Sequence, residues 1–208
     1  ASASATTHAT TYAATHPEFF ALRPDGTRTV GDRGQHSSQR CYSNEAGFQE
    51  HLRLIGRAIA GEDVAALFNV PATMPNARYI YWWPNDGFAG CSCPDCLRLT
   101  DAGAPANAVY ARLVWDYALR LSRAVAERWP DRVLKVPLYQ NYGAIPASTV
   151  VPANIALNVV RFGSGRFPAA YLKEPAYWQD AIDDIDALNA RSSRKLWLWV
   201  HYPHSPRI

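Results

Sequence analysis

The sequence predicts an α/β fold with a parallel sheet, drawn as a partial (β/α)8 barrel. Three observations lead there. Short aromatic and β-branched runs alternate with helical apolar patterns, which implies parallel strands joined by crossovers. The segments after the predicted strands are long and unusual in content, while the connections into them are short. That asymmetry suits a barrel whose active face lies at the strand C-termini. The alternative is a doubly wound open sheet, but no glycine fingerprint for a dinucleotide is present.

The elements follow in order. Residues 1–11 form a small, polar tail with neither the basic nor the apolar region of a signal peptide. A single domain is expected over 12–208. Residues 12–22 place aromatics beside Pro17 and read as a short helix or turn, and 23–40 read as a loop. Ser43 or Asn44 caps a helix whose Phe48, Leu52, Ile55 and Ile59 share one face, with His51 toward solvent and Gly61 as the stop. Residues 78–84 (RYIYWWP) read as a buried strand, and 85–104 as a loop. A long helix is expected from Asn107 to Arg128, with Val109, Leu113, Tyr117, Leu121 and Val125 at every fourth position and Pro130 closing it. Strands 133–138 and 155–160, a helix over 175–190 carrying Trp178, Ile182, Ile185 and Leu188, and strand 195–201 complete the pattern. The chain stops soon after that strand, which reads as a piece of a larger protein.

Composition narrows the function. The net charge is +3 with Lys and Arg scattered, whereas nucleic-acid binding needs a concentrated basic surface. No apolar run approaches the roughly 20 residues of a membrane span. Aromatic residues make up 12% of the chain, including seven Trp and eleven Tyr. Such rings stack on sugar C–H surfaces, although most will serve packing.

All four cysteines are candidates for one site. Cys91, Cys93 and Cys96 lie within six residues, and Cys41 is placed to join them from a neighbouring loop. Four thiolates satisfy tetrahedral zinc, and close spacing lets one loop wrap an ion about 2.3 Å from each sulfur. Gly87 and Gly90 supply backbone freedom for the wrap. Two disulfides or unpaired structural thiols are the competing readings. A Cys91–Cys93 bridge would be strained. With four protein ligands there is no open position, so the zinc would be structural.

Asn85 and Asp86 follow the aromatic strand directly. A carboxyl lodged beside Trp82 and Trp83 is partly desolvated, which raises its pKa toward what a general acid for glycosidic cleavage needs. The plain alternative is that Asn-Asp-Gly is a turn. A glycosidase also needs a second carboxylate about 5 to 10 Å away. The later strand ends carry Tyr139, Gln140, Asn141 and Tyr142, then Arg161, then His201, Tyr202 and His204. These groups suit sugar hydrogen bonding and stacking, and Arg161 suits a carboxylate such as a uronic acid.

The ordered combination resembles a known family. Its parts are Thr15-His16-Pro17-Glu18-Phe19-Phe20-Ala21-Leu22, then Cys41-Tyr42-Ser43-Asn44-Glu45, then Asn85-Asp86 and Cys91-x-Cys-x-x-Cys96. This resembles the DUF4838 family over roughly residues 12–202. The resemblance implies a (β/α)8 barrel distantly similar to α-glucuronidases and hexosaminidases, found mostly in exported bacterial multidomain proteins. It implies that the first barrel strands and the last lie outside this chain. By position Asp86 matches the place where related barrels carry an acid, while His201 and Tyr202 stand where the family often has another. The expected function is a glycoside-hydrolase-like domain, exported to the periplasm or the medium, with a carbohydrate substrate. A non-catalytic carbohydrate-binding domain and a zinc-stabilised protein-interaction scaffold are the other readings.

Overall fold

The structure is a computed structural model that describes residues 12–30, 38–62, 78–82, 84, 85, 87–161, 183, 186–193 and 197–200. Residues 12–15 are helical and run into a 3-10 turn at Pro17–Phe19. Helix α1 spans Glu45–Ile59. Asn44 is its cap, with Oδ1 accepting from the Gly47 N–H at 2.7 Å. Gly61 follows at φ +85°, a conformation that ends helices and that glycine adopts without steric cost. Phe48, Leu52 and Ile55 are buried as their spacing predicts. His51 corrects the expectation of solvent exposure: it is buried on the same face, between Phe48 and Ile55 in the helical repeat.

A single turn, α2, covers Pro94–Leu97. Helix α3 spans Ala111–Arg128, starting four residues later than the apolar repeat suggests. The preceding segment is drawn into turns, because the Ala108 N–H bonds to the Pro105 carbonyl and the Tyr110 N–H to that of Asn141. Trp129 closes α3 and lays its ring over Gly56 of α1, where a Cβ would sit 3.1 Å from Cζ2.

The strands are β1 (Tyr79–Tyr81), β2 (Val133–Leu138), β3 (Ile155–Arg161) and β4 (Trp197–Val200). They pair in parallel in the order β1-β2-β3-β4. This overturns the barrel. Among the described residues the sheet is open, with β1 and β4 as its edges, whereas closure takes eight tilted strands with no free edge. The alternation of elements that suggested a barrel is common to every parallel α/β sheet, so it established the class and left closure undetermined.

Ile80, Leu134, Val136, Leu138, Ile155, Leu157 and Val159 share one face by register and join the side chains of α1 and α3 in one core. Leu188 packs against that core from the helical residues 186–189, whereas Trp178, Ile182 and Ile185 lie outside the described residues. The opposite face carries Tyr79, Tyr81, Val133, Lys135, Pro137, Ala156 and Asn158, none of which belongs to the helix-side core. No helix among the described residues is long and apolar enough to cross a membrane.

Candidate metal centre and strand-end loops

Two chain segments meet to form a four-cysteine cluster. The first is held when the Cys41 N–H bonds to the Phe19 carbonyl at 2.9 Å, placing Cys41 three residues before the α1 cap. The second is pinned by a bond from the Ser92 N–H to the Leu22 carbonyl at 2.8 Å. Gly87 and Gly90 turn that loop at φ +72° and +79°. Cys93 then caps α2, and Cys96 lies within it, fully buried.

The Cys41 Sγ lies 3.6 Å from that of Cys93, 3.7 Å from Cys91 and 3.9 Å from Cys96. All four ligand atoms fall within 4.8 Å of one another. A tetrahedron with metal–sulfur bonds of about 2.3 Å has edges of about 3.8 Å, so this set matches a four-thiolate metal site. The same separations exceed the roughly 2.05 Å of a sulfur–sulfur bond, and the four thiols are free, which answers the disulfide reading. The thiols also share charge unevenly. Hydrogen bonds from Cys91 and Cys96 hold the Cys41 thiol far below its ordinary range, while the Cys91 thiol, bonded to Cys41, is pushed up to about 11. A divalent ion replaces the protons of such a set with its own charge.

Two groups around the sulfurs were not identified from the sequence. The Ser43 hydroxyl lies over the face formed by Cys41, Cys93 and Cys96, at 3.4, 3.3 and 3.2 Å. The Leu22 N–H donates to the Cys91 Sγ at 3.2 Å. Donors of this kind orient metal ligands and offset the excess negative charge of four thiolates. The Cys-x-Ser spacing at 41–43 was the available signal for Ser43, whereas a backbone donor leaves none.

The same loop is tied to its neighbours on either side of residue 86. Gln39 Nε2 donates to the Asn85 carbonyl at 3.0 Å, and Asn85 Nδ2 donates to the Ser38 carbonyl. Asn141, just past the C-terminal end of β2, donates from Nδ2 to the Phe88 carbonyl at 2.7 Å. The Tyr110 hydroxyl donates to the Ala89 carbonyl at 2.7 Å. The loops after β1 and β2 are therefore one braced unit.

The remaining candidates divide clearly. Trp82 is fully buried, stacked on Tyr117 and edge-on to Tyr42, which places it in the core, away from any surface a sugar reaches. Asn85 and Asn141 are half-buried, with their amides engaged in the loop bonds above. Tyr139 is half-buried, and its hydroxyl accepts from Gln140 Nε2 at 2.9 Å. Gln140 holds a left-handed φ of +44°, a strained conformation for a residue with a side chain. Arg161 ends β3 opposite Val200. Trp83, Asp86, His201 and Tyr202 lie outside the described residues.

A second polar cluster occupies the core. Arg40 Nη1 approaches His51 Nδ1 at 2.7 Å and also donates to the Tyr117 hydroxyl, which itself lies 2.7 Å from Nδ1. Since arginine only donates, Nδ1 is the unprotonated nitrogen of a neutral imidazole. Burial, reinforced by the adjacent Arg40 charge, holds the His51 pKa well below its ordinary value.

A search of curated proteins finds no match. A family pattern covers residues 2–191, and the chain belongs to that family, described as Domain of unknown function (DUF4838).

Proposed function

We propose that this chain is a glycoside-hydrolase-like domain that acts on a glycan at the C-terminal ends of its strands, on a loop braced by one structural zinc ion. Cys41, Cys91, Cys93 and Cys96 hold the metal, which supplies a fixed crosslink and no open coordination position. The observation that carries the reading is the bracing of the loop after β1. Bonds from Gln39, Asn85, Tyr110 and Asn141 fix residue 85 before Asp86 and residues 88 and 89 beyond it. Ligands of open parallel sheets bind outside the carboxyl ends of the strands, where this loop lies. Asp86 is the proposed general acid, delivering a proton to the leaving glycosidic oxygen as its bond to the anomeric carbon breaks; water adds to that carbon and releases its proton to solvent, from which Asp86 is reprotonated. The family resemblance adds an exported location, where metal ligation protects the thiols from oxidation.

The test joins metal analysis to turnover. One zinc per chain is expected, with loss of folded structure on chelation. Asp86→Asn is expected to abolish sugar release while leaving the zinc content unchanged, and undiminished release would remove Asp86 from the reaction. The neutral groups Tyr139, Gln140 and Asn141 at the end of β2 favour a second reading, a domain that binds glycans and returns them intact.

A further inference from the structure

The four cysteines differ in how closely solvent approaches them. Cys41, Cys91 and Cys96 are buried, whereas Cys93 is half-buried and is followed by the exposed Pro94 and Asp95. Cys93 therefore lies on the open side of the cluster. The half-buried Ser43 shares that side, its hydroxyl 3.3 Å from the Cys93 Sγ. The Cys41 Sγ lies 3.6 Å from that of Cys93, the shortest of the three separations measured from Cys41. A bridge from Cys93 to Cys91, with one residue between them, would be strained. Cys96 is held within α2 and is fully buried. An oxidant arriving from solvent meets Cys93 first, and Cys41 is the thiol placed to react with the product.

We propose that Cys93 is a redox-modification site, at which a hydroperoxide converts the metal-bound cluster into a Cys41–Cys93 disulfide and releases the ion. This rests on the metal half of the proposed function and is independent of its glycan half. The Cys93 sulfur attacks one oxygen of hydrogen peroxide, the O–O bond breaks, and hydroxide leaves behind a sulfenic acid. The Cys41 sulfur then attacks the Cys93 sulfur, a sulfur–sulfur bond forms, the S–O bond breaks, and a second hydroxide departs. Solvent protonates both hydroxides to water, so the two sulfurs lose the two electrons that the peroxide gains. The sulfurs close by about 1.5 Å to reach bonding distance. Cys91 and Cys96 then take up protons, because two thiolates are too few to retain the ion. The loop after β1 keeps its tie through Cys93 and loses those through Cys91 and Cys96, so oxidation changes how firmly that loop is held.

The experiment exposes the zinc-loaded full chain to hydrogen peroxide while a chromogenic chelator reports released zinc. Peptide mass mapping then locates the oxidised cysteines. One zinc per chain is expected to leave as two thiols are lost, with the bridge at Cys41–Cys93. Dithiothreitol with added zinc is expected to restore both. Dimedone, which captures sulfenic acids, is expected to mark Cys93 when present during the oxidation. Brief iodoacetamide labelling of the untreated zinc-loaded chain is expected to modify Cys93 at least about fivefold faster than the other three, since thiol reactivity follows access. Zinc retained under conditions that oxidise the urea-unfolded chain would overturn the proposal and leave the metal reading intact. A bridge between any other pair, or first labelling at another cysteine, would also overturn it. A chain that takes up no zinc yet forms the Cys41–Cys93 bridge would do the opposite, removing the metal reading and sustaining Cys93 as the oxidation site. Neither zinc nor bridge would overturn both.

Discussion

Gly90→Ala is expected to be among the most damaging single-methyl additions in the described chain. A Cβ at this position would lie 2.4 Å from Cε1, 2.9 Å from Cζ and 3.1 Å from Cδ1 of Tyr110. The ring must therefore move. Moving it breaks the 2.7 Å bond from the Tyr110 hydroxyl to the Ala89 carbonyl and the edge-on contact with Phe88. The lost hydrogen bond costs about 1 kcal/mol, and the aromatic contact about another 0.5 to 1 kcal/mol. The left-handed φ of +79° adds roughly 1 kcal/mol for any residue with a Cβ. The sum is a loss of about 3 kcal/mol, measured by urea unfolding followed by far-UV circular dichroism. The clash and the backbone strain separate in a double-mutant cycle. In a Tyr110→Ala background, Gly90→Ala is expected to cost only about 1 kcal/mol, the backbone share. A cost below about 0.5 kcal/mol in the native background would refute the packing argument. An undiminished cost in the Tyr110→Ala background would refute the role assigned to the ring.

His51 predicts a pH dependence. Its folded pKa is depressed by burial and by Arg40, so below about pH 6.5 the unfolded chain takes up a proton that the folded chain refuses. Stability present above that pH is lost as the pH falls, with a limiting slope of about 1.4 kcal/mol per unit. Unfolding free energies between pH 7.5 and 5.5 are expected to show this slope, and His51→Gln to flatten it despite a lower plateau. An equal slope in the variant would assign the dependence to another group. At the start of α1, Asn44→Ala removes the acceptor of the Gly47 N–H and is expected to cost about 1 kcal/mol. Asn44→Asp should recover most of that, and a loss shared equally by both variants would mean that the cap bond is not the cause.

Strand β2 was legible to the residue, because Val133–Leu138 is a mostly apolar run between a turn and a tyrosine, despite Lys135 and Pro137 within it. β1 was overdrawn. Its aromatic run extends to Pro84, but the strand covers only Tyr79–Tyr81 among the described residues. Sheet closure was not legible at all, since adjacent parallel strands look alike in an open sheet and in a barrel. The four-cysteine cluster was readable from Cys91-x-Cys-x-x-Cys96, because close spacing along the chain is a local property. His51 was misplaced although its position, three after Phe48 and four before Ile55, sits on the apolar stripe. Its polarity outweighed its phase, and only the tertiary partners Arg40 and Tyr117 explain its burial. Ser43 and the Leu22 N–H belong to the same class of contact, which arises when distant segments meet.

The order of the strands also bears on how the chain finds its fold. Tyr79 of β1 pairs with Val133, 54 positions along, and Asn158 of β3 pairs with Trp197, 39 positions along. Leu134 of β2 pairs with Ile155 after only 21 positions. Closing the shorter loop costs about 0.8 kcal/mol less chain entropy than closing the longest, roughly a fourfold advantage in encounter. The β2–β3 ladder also has the longest register, five residue pairs against three and four for its neighbours. That ladder is the expected seed of the sheet, with β1 and β4 added from opposite sides.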